Sequence, residues 1–144
     1  MSPRKPAAYA FAVLRAVPHV HLGAFVNVGV VVHARTIEYL GIRVLDDPET
    51  LRRRVPDTDP VLLARYLRAC RAIAEGDAEA GPVALAPTSE RFHWLTAPRS
   101  DVLQASPVHE GVLEDDPDAL LDELFAAFVG GPVGGTDTTK PFHR

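Results

Sequence analysis

The chain has 144 residues, 47% of them hydrophobic and 24% charged, the balance of one globular domain whose core needs neither metal nor disulfide. A formal charge of -4 and a pI near 5.8 lack the broad positive field of a non-specific nucleic-acid binder, so no nucleic-acid partner is expected. The single cysteine, Cys70, forbids an internal disulfide, and no run reaches the roughly eighteen apolar residues of a membrane span, so the expected setting is cytoplasmic with no membrane partner.

In chain order, residues 1–7 read as a flexible N-terminus, 8–129 as a single domain, and the glycine-rich stretch 130–144 as a flexible tail. Residues 8–17 alternate strictly, with Tyr9, Phe11, Val13, Arg15 and Val17 on one face and Ala8, Ala10, Ala12, Leu14 and Ala16 on the other. That small-residue face suits close helix packing. A second strand over 25–33 carries the stripe Val26, Val28, Val30 and Val32, with Asn27, Gly29 and His33 on its other face. After a turn at 34–36, residues 37–45 form a third strand through Leu40, Ile42 and Val44. Asp59-Pro60 starts a helix along Leu63, Tyr66, Leu67, Cys70 and Ile73 that Gly76 stops. Residues 91–96 and 102–106 read as a hairpin turning at 97–101, and Asp116-Pro117 opens a second helix through Leu120, Leu121, Leu124, Phe125 and Phe128. The expected fold class is α+β, an antiparallel sheet of about five strands with two main helices packed on one face.

Two groups of residues are candidates for a site. A turn at 34–36 would set Asn27 opposite Arg43 and Gly29 opposite Gly41, and a loop over 18–24 that brings Val17 near Phe25 would set Arg15 beside Asn27, giving a glycine floor under a cradle for phosphate or carboxylate. The competing reading pairs those arginines with Asp46, Asp47 or Glu90 and has the glycines relieve crowding. The second group is the polar stretch 89–111. There the hairpin places Trp94 opposite Gln104 and Phe92 opposite Ser106, with His93 on the reverse face, and leaves Arg91, Arg99, Ser106 and His109 as binding candidates. A catalytic version makes His93 or His109 the general base and Arg99 the stabiliser of developing negative charge. No nucleophile elbow or acidic orienter accompanies them, so binding is preferred to catalysis and no cofactor is expected. His19 and His21 with His33 fall short of a zinc ligand set, Cys70 belongs to an apolar helix stripe, and no metal is expected. The acidic run Glu114, Asp115, Asp116 and Asp118 complements a helix N-terminus.

The segments YAFAVLRAVPHV, FVNVGVVV and ERFHWLTAPRSDVLQASPVHEG, in that order, resemble a bacterial family of unknown function, DUF3037, over roughly residues 9–128. The resemblance implies no activity, cofactor or catalytic residue. It does imply a partner, because similar proteins are often encoded beside kinase-like proteins related to the HipA toxin. Relatives tend to be acidic just before FVNVGVVV, whereas this chain reads HVHLGA with His21 and Ala24. The sequence therefore predicts a cytoplasmic accessory module that binds a partner, with a HipA-like kinase as the candidate. The alternative is a small-molecule enzyme or sensor that binds an anionic ligand. An exposed sheet edge could also support a homo-oligomer.

Overall fold

The computed structural model describes residues 6–17, 25–97 and 102–130. The terminal segments 1–7 and 130–144 lie almost wholly outside these, and His19, His21 and Arg99 lie outside them. The fold is α+β, built on a five-stranded antiparallel sheet. Its strands are β1 (Ala7–Ala16), β2 (Val26–Ala34), β3 (Tyr39–Val44), β4 (Leu103–Ala105) and β5 (His109–Leu113). Spatially the order is β3-β2-β1-β4, and β5 also pairs with β1. The short β4 takes the C-terminal end of β1, at Leu14–Ala16, and β5 takes its N-terminal end, at Ala7–Phe11.

Ser106 joins these two halves. Its backbone N–H donates to the Val13 carbonyl at 2.8 Å, while its hydroxyl accepts from the Val13 N–H at 2.9 Å and donates to the Pro107 carbonyl. Proline cannot donate a ladder hydrogen bond, so the strand breaks here and the serine oxygen satisfies a backbone donor that would otherwise be buried unpaired.

Among the described residues four α-helices complete the fold: α1 (Pro48–Arg54), α2 (Pro60–Ala74), α3 (Thr88–Thr96) and α4 (Pro117–Phe128). Asp47, Asp59 and Asp116 cap α1, α2 and α4, each followed by proline in the first turn, the start signal read from the sequence for the latter two. Residues 91–96 are helical rather than extended, which removes the expected 91–106 hairpin and its cross-strand pairs. The deciding pattern is Phe92 and Leu95, three apart and both buried, after a first turn containing Glu90. Residues 102–106 do contain a strand, but it pairs with β1.

Paired residues of an antiparallel ladder share a face, so contacts assign the helices. His33, on the face of Leu14 and Gly29, stacks on Phe92 of α3 at 5.1 Å. Tyr39 and Arg43, on the opposite face, bond Asp118 and Asp122 of α4. The two helices read from the sequence, found as α2 and α4, are thus divided between the faces, α2 and α3 on one and α4 on the other. Both faces of β2 are consequently core: Val28, Val30, Val31 and Val32 are fully buried. The largest fully buried side chains also include Leu14, Leu51, Leu63 and Leu67, with Leu121 of α4 against the opposite face, each side chain worth about 1.5–3 kcal/mol when fully buried.

Candidate functional site

Arg15 faces Asn27 across β1 and β2, as the sequence suggested. The pairing shifts between Leu14 and Arg15, leaving Val28 as an extra residue that turns Asn27 to the α4 face while Gly29 and His33 stay on the other. Arg43 does not join them. The connection between β2 and β3 is a 3₁₀ turn, Arg35–Ile37, closed by Glu38 at φ 52°, longer than the expected turn, and it slides the register by three residues. Arg43 therefore faces Val30, and Gly29 faces Val44 instead of Gly41. No glycine floor exists. A Cβ at Gly29 would lie 2.9 Å from Val44 Cγ1, and one at Gly41 would strike the Tyr39 ring, so both glycines admit neighbouring protein atoms.

Internal partners occupy most of the candidate donors. Arg43 pairs with Asp122, an acid not among the three anticipated. Asn27 Nδ2 donates to the Phe128 carbonyl at 2.9 Å and Arg54 to that of Val129 at 2.7 Å, closing the C-terminal end of α4. Arg91 bonds the carbonyls of Ile73, Ala74 and Ala86, tying the end of α2 to the segment before α3. Ser106 is committed to β1. His93 is exposed on α3, and His109 lies on β5 with its ring 5.2 Å from that of Phe11. Among the described residues, neither histidine hydrogen-bonds to another candidate. Arg15 is the exception. Its guanidinium lies 4.0 Å over the Phe25 ring, burial lowers its pKa, and its Nε and the Asn27 Oδ1 are buried without hydrogen bonds. Gln104 faces Arg15 from β4, so the polar row is Gln104, Arg15 and Asn27, one strand away from the expected one.

Sequence reasoning passed over a more open place. On the α2–α3 side, none of the described helices covers the start of β1, where Ala8, Ala10, Glu110 and Val112 surround a concavity of about 510 Å³ with buried His33 at its inner end and exposed Arg35 in its lining. Val112 is 65% exposed. Beside it, Arg35, Thr36, Glu38, Pro87, Thr88 and Ser89 line a second hollow. His33 lies between the two. It is 8% exposed, its Nε2 is 3.3 Å from Thr88 Oγ1, and burial followed by the charge of Arg35 holds its pKa below the ordinary histidine value. The arrangement presents small apolar side chains between one cation, Arg35, and one anion, Glu110. It suits a polypeptide surface better than an anion. The available sequence signal was the alanine alternation itself, which was assigned to helices of the chain.

Among the described residues, no cluster of histidine, cysteine and acidic side chains could hold a metal, and no helix is long and apolar enough to cross a membrane. The model of the DUF3037 family, described as a protein of unknown function, matches residues 11–129. No curated protein and no solved structure matches the chain.

Proposed function

The chain belongs to the DUF3037 family of proteins of unknown function, and for it we propose an accessory role in which a partner protein docks on the sheet face of Ala8, Ala10, Glu110 and Val112. The observation that carries this reading is a strip of sheet surfaced by alanines and a 65% exposed valine with no helix of the described residues above it. Small side chains let a helix approach a sheet closely, and apolar surface gains by leaving water. The fitting occupant is a partner helix with an apolar stripe, an acidic residue placed against Arg35 and a basic one against Glu110. Such charges set orientation and association rate more than affinity. Val108, 45% exposed just before β5, extends the surface along the sheet edge.

The first partner to try is a HipA-like kinase, which the family resemblance suggests. Co-expression followed by size-exclusion chromatography should give a joint peak with the wild-type chain. Val112→Glu should weaken it at least about tenfold, because a desolvated unpaired charge costs more than 1.4 kcal/mol, and Arg35→Glu should chiefly slow association. Separate elution of wild type well above micromolar concentration overturns the kinase pairing. A peak unaffected by both substitutions moves the interface elsewhere.

A second reading has one observation behind it. The buried, unbonded Nε of Arg15 beside Asn27 could receive a phosphorylated or carboxylated small molecule, as in an enzyme or sensor. A thermal-shift screen of such metabolites checks it, since ligand at one hundred times its Kd adds about 2.7 kcal/mol. No shift at millimolar ligand removes this reading.

A further inference from the structure

A third cavity, of about 250 Å³, lies between α2, α3 and the end of the sheet. Leu14, Cys70, Leu95 and Leu103 line it as buried apolar residues, and Tyr66 and Trp94 are its aromatic lining. It shares no residue with the sheet-face concavity. Among the described residues none that lines it is charged, and Gln104, whose side chain is turned to Arg15 on the opposite face, borders it through β4.

These properties restrict the occupant. The hollow opens to solvent past Tyr66 and Ala69, both exposed, while its floor is apolar, so an apolar ring that displaces its water gains by leaving the solvent. An apolar cavity of about 150 Å³ is enough to hold benzene, so this one has room for a ring with a substituent. Tyr66 and Trp94 offer the offset or edge-to-face contacts that aromatic rings prefer. A charged ligand would give up hydration against this apolar floor and find no counter-charge among the described lining residues.

We propose that this cavity binds a small uncharged aromatic molecule, one ring bearing a single hydrogen-bonding group, of the phenol class. This ligand differs in kind from the anion considered for Arg15.

Trp94 is the only tryptophan of the chain, so its indole N–H gives one resonance that reports the cavity directly. The test titrates ¹⁵N-labelled full-length protein with p-cresol, and with benzoate as a charged ring of similar size, at pH 7. p-Cresol should shift the Trp94 resonance saturably with a Kd of about 1 mM or tighter, the range open to a ligand of so few atoms. Benzoate should bind at least about tenfold more weakly. Ala69 lines the cavity from an exposed position on α2, so Ala69→Leu fills the space without disturbing the core and should abolish the p-cresol shift. Dispersed spectra of that variant establish that it folds. Absence of a saturable shift, equal binding of benzoate, or p-cresol binding that survives Ala69→Leu each overturns the proposal.

Discussion

Residues 91–106 and the first strand of the sheet invert each other. The later segment is dense in arginine, histidine and serine, yet Arg91 and Ser106 spend their hydrogen bonds on backbone groups of the same chain. The opening of β1 has little but alanine on one face, yet no described helix covers that face. Polar density therefore marks a site only after internal partners have been subtracted, and bland sequence becomes surface when the available helices stop short of it. In this fold helix ends and a broken strand consume the polar groups, because unmade backbone hydrogen bonds are costly once buried.

Removal of Arg91 offers the severest trial of that contrast. Arg91→Ala frees three carbonyls, two at the end of α2 and one just before α3, and should cost about 1.5–3 kcal/mol, the range for bonds to charged groups, in urea unfolding. Arg91→Lys should recover only part, since an ammonium lacks the planar fork. If Arg91→Ala leaves the midpoint unchanged, this arginine is not structural and returns to the candidate site. Ser106→Ala comes next at about 1–3 kcal/mol, through the stranded N–H of Val13, and circular dichroism melts will measure it.

The histidine at the inner end of the open face gives a pH test. His33 has a lower pKa folded than unfolded, so the unfolded chain takes up the proton first as pH falls. Stability is thus full above the unfolded value of about 6.5 and is lost as pH drops from there toward the folded pKa. Unfolding free energies between pH 8 and pH 5 should show this decline, and His33→Gln should flatten it. The smallest effect belongs to the ion pair of Arg43 and Asp122, whose side chains are 43% and 64% exposed. Asp122→Asn should cost under about 1 kcal/mol, less still in high salt, and a larger loss would mean that the arrangement of α4 depends on it.

Much of the fold was legible because it rests on local periodicity and caps. The alternation of β1, the valine stripe of β2, and the Asp-Pro starts of α2 and α4 each specify their element within a few residues. The partnership of Arg15 and Asn27 followed from such alternation. What failed depended on contacts distant in the chain or on connection length. The slide of β3 came from the turn closed by Glu38, and the residues around Trp94 satisfied a strand pattern and a helix pattern equally until Phe92 and Leu95 found the core. The division of helices between faces was invisible because a sheet buried on both sides carries apolar residues at every position of its central strand. The open face was missed for a similar reason: alanine reads the same whether its neighbour is a helix or water.

The break at Ser106–Pro107 also has a consequence for the order in which the protein is made. The meander β1-β2-β3 is assembled from neighbours in sequence, but the remaining edge of β1 is paired only by residues near the other end of the chain. At about 5–20 residues per second of synthesis, that edge waits on the order of several seconds for its partners. During this interval an apolar strand with free N–H and C=O groups is exposed to any extended segment nearby, another nascent copy included. Folding yield should therefore depend on how soon the last third of the chain arrives.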